Sequence, residues 1–224
     1  VSHPHSEKYN ILMHYNQFAE AITDTNSAPI HWQDSSELSG INEFEKCCEV
    51  LKKEGKQKRT MIELGGNYAY YSMLFAKFFE GEEVENIMVE PYEKYRKIGV
   101  HHLKINGLEG TILDRQIYNP AGWWGGRVHF DCPHTTVDEL LEEFKICDLD
   151  MLHMDIDFSE EIALKGAEKS LSKHLINFVY VATHDDGLHA NCGELLSGFG
   201  YKQVYECASK TIGHDSLLIF KRGR

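Results

Sequence analysis

The stretch from Met61 to Ser72 constrains this chain most. Met61-Ile62-Glu63-Leu64 is a short apolar run carrying one carboxylate, Gly65-Gly66 is a turn, and Tyr71, Leu74, Phe75 and Phe78 then recur at helical spacing. Strand, glycine turn and helix in that order predict the first half of a βαβ unit. Glycine lacks a Cβ, so at Gly65 and Gly66 the backbone can turn sharply and approach a ligand closely. Glu63 falls at the carboxyl end of the strand, where open α/β sheets bind ligands.

The spacing of the glycines discriminates between ligands. Dinucleotide sites present G-x-G-x-x-G to a pyrophosphate. Here the order is Gly65-Gly66-Asn67-Tyr68-Ala69, out of register for that fingerprint and poor in glycine. An S-adenosylmethionine site has no pyrophosphate to hold, and an acidic residue before the turn suits a ligand with a sulfonium and an ammonium. The alternatives are an NAD or nucleotide-sugar site, or a turn with no ligand. A second carboxylate favours the methyl donor. Asn86-Ile87-Met88-Val89 reads as a strand ending in Glu90, and Pro91 stops the ladder there. An acidic residue at that place receives ribose hydroxyls in nucleoside sites.

The remainder continues the alternation. Ile11, Leu12, Tyr15, Phe18 and Ile22 predict a helix over roughly 7–22 within an N-terminal extension, residues 1–40, that can serve as a lid. Ile41 to Leu51 predicts a helix opening the main domain, residues 41–224. A helix over roughly 92–105 leads to a third strand, Thr111–Tyr118, whose Asp114 and Arg115 would lie near an adenine. Trp123-Trp124 follow in a glycine-flanked loop. Paired tryptophans need cover: stacking on the acceptor is one way to obtain it, plain packing the other. Thr136-Val137-Asp138-Glu139 is a capping box. Leu149–Asp155 is the fourth strand, a helix carries Leu164 to Leu175, and Asn177–Thr183 is the fifth strand. Two closing strands, without a long helix between them, imply an antiparallel edge. The fold class expected is α/β: a Rossmann-like, seven-stranded, mostly parallel sheet with an antiparallel last strand and helices on both faces.

Bulk properties narrow the partners. A net charge of -12 speaks against nucleic-acid backbones and anionic membranes. No apolar run approaches the ~18 residues of a membrane span, and Val1-Ser2-His3-Pro4-His5 lacks a signal-peptide core. The cysteines form no C-x-x-C pair, which fits reduced thiols and a cytoplasmic setting. The partner expected is a small-molecule acceptor, and homo-oligomers are compatible with the sequence.

Four stretches resemble the FkbM family of class I S-adenosylmethionine-dependent methyltransferases. Ile62 to Ser72 looks like that family's Asp-Val-Gly-Ala-Asn-Ile-Gly-x-Tyr-Ser turn, and Val89-Glu90-Pro91 through Asn106-Gly107-Leu108 like its Glu-Pro strand end and Asn-Gly-Leu. Thr135 to Leu140 is similar to its Thr-Leu-Asp-Glu segment. Asp150 to Asp157, with Leu164-Lys165-Gly166-Ala167, looks like its Asp-Leu-Leu-Lys-Ile-Asp-Val-Glu-Gly helix entry. The resemblance implies O-methylation of sugars or sugar-bearing natural products. It also places Glu63, Gly65, Gly66, Asn67, Tyr71, Ser72, Glu90 and Asp155 around the donor. Three positions depart: Glu63 replaces an aspartate, Ala69 the later glycine, and Asp157-Phe158 the usual Glu-Gly. The last two leave open a module that binds S-adenosylmethionine or a partner without turnover.

A hydroxyl acceptor has a high pKa, so a base or a metal must assist its attack on the methyl. The residues for this sit at the tips of strands 4 and 5. His184 is the base expected, Asp155 its neighbour, and His153 shares the strand with Asp155. Asp157 faces the acceptor side. A hard cation would take oxygens of Asp155, Asp157 and Asp185, but their spacing is not diagnostic and S-adenosylmethionine alone is the cofactor expected.

Overall fold

The computed structural model describes residues 11–12, 35–118, 131–208 and 216–223. Its first helix, α1 (Ser35–Lys52), runs without a break through position 40. The alternation then follows as β1 (Lys58–Leu64), α2 (Tyr70–Phe78), β2 (Glu83–Val89), α3 (Glu93–Ile105) and β3 (Thr111–Leu113). The short β4 (Gln116–Ile117) and β5 (His134–Thr135) precede α4 (Val137–Glu143) and β6 (Leu149–Met154). After them come α5 (Glu160–Lys165), α6 (Glu168–Ser172), β7 (Ile176–Thr183), α7 (Asp186–Gly198), β8 (Lys202–Cys207) and β9 (Ser216–Lys221).

The main sheet has seven strands in the order β3-β2-β1-β6-β7-β9-β8. All neighbours from β3 to β7 pair in parallel, and β9 runs antiparallel to both β7 and β8. The antiparallel strand is therefore not at the edge: the chain crosses to β8 first and returns inside it. Strand order reverses direction between β1 and β6, which opens a crevice at their carboxyl ends.

Alternation along the strands builds two cores. Ile62, Leu64, Ile87, Val89, Leu152 and Met154 pack under α4 to α7. Met61, Met88, Met151, Phe178 and Ile219 pack under α1 to α3. Both faces of the central strands are thus apolar, as a parallel sheet covered by helices requires.

Local chemistry explains three differences from the sequence reading. The third strand is broken at Asp114-Arg115: β3 joins the main sheet, whereas β4 pairs with β5 in a separate two-stranded sheet. Asp114 is held by Arg96 at 2.8 Å and Arg115 forks onto Glu143. The single helix expected through Leu164 to Leu175 is two short ones, α5 and α6, separated by Gly166-Ala167. Thr136 does cap α4 with a full capping box, and Asp138 beside it accepts bonds from Lys169 and Ser170 backbone N–H at 3.0 and 2.9 Å. The Thr-Val-Asp-Glu segment therefore locks α4 to α6, and Asp138 N–H, donating to the Gly166 carbonyl at 2.9 Å, ties in the Lys-Gly-Ala segment. Of the expected N-terminal helix, Ile11 and Leu12 are irregular and bonded to Asn106 through Leu12; the remainder lies outside the described residues.

Candidate active site

The turn after β1 is built by close backbone contact. Gly65 and Gly66 N–H both donate to the Val89 carbonyl, at 2.9 and 3.2 Å. Gly65 has φ +79°, and a Cβ there would stand 1.9 Å from the Asp155 carbonyl oxygen. The neighbouring β6 tip thus demands a glycine here, a reason the sequence alone did not show. Asn67 (φ 40°) and Ala69 (φ 63°) are also left-handed, and so are Asp157 (φ 47°) and Phe158 (φ 75°) after β6. Ala69 and Phe158 occupy positions where the resembled motifs have glycine, so the backbone keeps the glycine shape at ~1–2 kcal/mol per residue.

Two carboxylates border the turn. Glu63 is 2 % exposed, and its Oε2 accepts bonds from Ser72 N–H at 3.2 Å and from the Ser72 hydroxyl. Burial pushes its carboxyl up to about 8, against the lowering effect of the two Ser72 bonds. Glu90 is also buried; its Oε2 accepts from Asn67 N–H at 2.9 Å and its Oε1 from Tyr92 N–H at 2.8 Å. Burial raises this carboxyl too, opposed by those two bonds. Each Glu90 oxygen keeps a second lone pair for a hydroxyl donor. Arg96, which sequence reasoning did not single out, donates to the Glu90 carbonyl at 3.0 Å and pairs with Asp114. Asp114 is thereby brought to the Glu90 tip, while Arg115 is committed to Glu143 on α4.

A second group forms at the tips of β6 and β7. His184 Nε2 lies 3.3 Å from Asp155 Oδ1, 3.3 Å from Glu160 Oε1 and 3.9 Å from Asp157 Oδ1. Glu160, absent from the sequence reading, is fully buried, and its Oε1 also accepts from Ile156 N–H at 2.9 Å. Its signal was a Ser-Glu-Glu helix start after the β6 tip, which reads as a helix N-terminus and not as a site. Asp185 caps α7, its Oδ1 accepting from Leu188 N–H at 2.7 Å, and Asp157 is almost wholly exposed. The oxygens that the sequence offered to a hard cation, Asp155 with Asp157 and Asp185, are therefore not the set that converges. Phe158 lies beside His184, ring centroids 5.3 Å apart.

His153 does not join this group. It is sandwiched between Tyr71 (4.1 Å) and Tyr180 (4.8 Å) with Phe44 edge-on. Burial lowers its imidazole to about 3, so it is neutral. In register, Glu63, His153 and Tyr180 form one row across β1, β6 and β7. Tyr71 belongs to this stack, its hydroxyl 3.3 Å from that of Tyr180. Trp123 and Trp124 lie outside the described residues.

The family description "Methyltransferase FkbM domain" matches residues 66–202. The chain belongs to the FkbM methyltransferase family. S-adenosylmethionine is accordingly its cofactor. Among solved structures, the chain resembles an FkbM methyltransferase from Methylobacillus flagellatus KT, with a TM-score of 0.59 and 17% identity. That match covers 73% of this chain and 44% of the other, so the chain spans under half the length of that relative. TrmK of M. capricolum in complex with S-adenosyl-homocysteine has a TM-score of 0.50 at 10% identity, over 81% of this chain and 68% of that one. The N-terminal domain of human METTL16 in complex with SAH has a TM-score of 0.53 at 12% identity, over 83% and 70%. No curated protein matches the chain. These likenesses carry the fold. The residues at the β1 turn fit a methyl donor on their own terms: the buried Glu63 carboxyl has no basic partner among the described ion pairs, and Glu90 beside it can receive hydroxyls.

Proposed function

We propose that this chain is an S-adenosylmethionine-dependent O-methyltransferase acting on a hydroxyl of a small molecule of the sugar or natural-product type. The observation that carries this is the convergence of His184, Asp155 and Glu160 at the strand tips beside the tip that bears Glu63 and Glu90. The donor, when bound, supplies an electrophilic methyl on sulfur. Glu63 faces its cationic end, and Glu90, with Asn67 N–H holding it in place, takes its ribose hydroxyls. The His184 cluster would take up the proton of an acceptor hydroxyl held against the donor methyl. Positioning supplies much of the rate, because the reacting atoms need in-line placement ~3–3.5 Å apart.

The net charge of -12 favours an uncharged or cationic small acceptor over a polyanion. Six free thiols fit a reducing, cytoplasmic compartment, and no described helix is long and apolar enough to cross a membrane.

The test is transfer of label from methyl-labelled donor into a panel of hydroxylated sugars and a metabolite extract. His184→Gln should leave S-adenosyl-homocysteine affinity intact and lower kcat by ~10²–10⁴-fold. Label appearing in RNA and in no small molecule would overturn the acceptor class.

A further inference from the structure

The group around His184 has a geometry that acid–base chemistry alone does not require. Its three donor atoms, His184 Nε2 and one carboxylate oxygen each from Asp155 and Glu160, lie within 4.8 Å of one another. The imidazole nitrogen sits 3.3 Å from each of the two carboxylates. Charge-assisted N–H···O bonds are shorter, about 2.7–2.9 Å. By contrast, ligands ~2.0–2.1 Å from one ion are about 3 Å apart in cis octahedral geometry and about 3.4 Å apart in tetrahedral geometry.

Glu160 supplies a second, independent observation. It is wholly buried, its Oε1 is oriented by Ile156 N–H, and its Oε2 is buried with no hydrogen-bond partner among the described residues. Leaving a buried carboxylate oxygen unsatisfied is costly. Among the described ion pairs Glu160 meets no lysine or arginine, only His184, and a cation between the three side chains would engage the carboxylate oxygens that the imidazole does not.

We infer that Asp155, Glu160 and His184 bind a divalent cation of the Mn²⁺ or Zn²⁺ type. One imidazole and two carboxylates suit such ions better than Ca²⁺, which prefers oxygen alone. Three protein ligands leave coordination positions open, and the chemistry such an ion supplies is polarisation of an acceptor hydroxyl. Asp155 is half exposed, which leaves the site approachable from the crevice. The inference rests on the O-methyltransferase reading for its purpose, but not for its existence.

The experiment uses the full chain, stripped with chelator and dialysed. MnCl₂ is titrated in by calorimetry and followed by the loss of the free Mn²⁺ electron-paramagnetic-resonance signal, with no donor present. One saturable site per chain is expected. Glu160→Gln and His184→Gln should each weaken it by ~10–100-fold or more. Asp155→Asn, at a half-exposed position, gives the same readout if a buried variant misfolds, and circular dichroism reports folding. An absence of saturable binding at millimolar Mn²⁺, or affinity unchanged in the folded variants, overturns the site. S-adenosyl-homocysteine binding measured on the same metal-free sample separates the two ideas. If that product binds and Mn²⁺ does not, only the cation site fails; the reverse result leaves the cation site and removes the donor reading.

Discussion

Glu63→Gln offers a direct measure of how the β1 tip is built. In the folded chain the Glu63 carboxyl is raised from 4.5 to about 8, chiefly by burial. In the unfolded chain it ionises near its ordinary value. A carboxyl raised on folding adds no penalty below pH 4.5, where both states hold the proton. As pH rises from there to about 8, the unfolded state loses its proton and the folded state keeps it, so stability falls. Each pH unit in that window costs ~1.4 kcal/mol, giving about 3 kcal/mol at pH 6.5 and about 4 kcal/mol at pH 8. The Gln variant keeps the shape and an acceptor for Ser72, and it has no proton to lose. Urea unfolding of both proteins in chelator, at pH 5, 6, 7 and 8, isolates the effect. The wild type should lose stability relative to Glu63→Gln at each step. The difference between proteins matters more than the raw curve, because Glu90 is raised by burial as well and contributes with the same sign. Two unfolding curves that stay parallel from pH 5 to 8 would refute the buried, proton-holding carboxyl. A donor bearing positive charge should bind better as Glu63 ionises, so its affinity should rise with pH over the same interval.

Three further outcomes follow from the same geometry. Gly65→Ala places a methyl on the Asp155 carbonyl in a left-handed conformation and should cost ~2–5 kcal/mol in urea unfolding. Gly66→Ala meets the Met88 Cβ at 3.0 Å and the Glu90 Cβ at 4.0 Å and should cost under ~1.5 kcal/mol; equal losses would show that the turn is not pinned by the β6 tip. His153 is neutral with its imidazole lowered to about 3, so its contribution is present above its unfolded value near 6.5 and is lost as pH falls. At pH 5 the wild type should be weakened by about 2 kcal/mol relative to His153→Gln, and a charged, catalytically titrating His153 would show no such trend. Glu90→Ala should weaken donor binding by ~10–100-fold in calorimetry, and wild-type affinity in a folded variant would remove Glu90 from the ribose site.

The strands, helices and carboxylate-tipped turns were legible because they rest on local signals. Alternation between apolar runs and helical stripes needs no distant partner, and the order of β and α elements restricts a parallel sheet to few topologies. Glu63, Glu90 and Asp155 could be placed at strand ends for the same reason, as could His184 after the fifth strand. What lies across the sheet could not be read locally. His153 and His184 look alike in sequence, yet one is walled in by Tyr71, Tyr180 and Phe44 while the other meets two carboxylates at the crevice. Sequence offered Asp185 as a ligand, and the fold uses it to cap α7. Glu160 passed for an ordinary helix start until burial and the reversal of strand order brought it to His184. Gly65 was recognisable as a required glycine, but the atom that requires it, the Asp155 carbonyl, comes from a strand far along the chain. Element type follows from near neighbours in sequence; burial, pKa and the meeting of side chains depend on contacts that exist only once the sheet has closed.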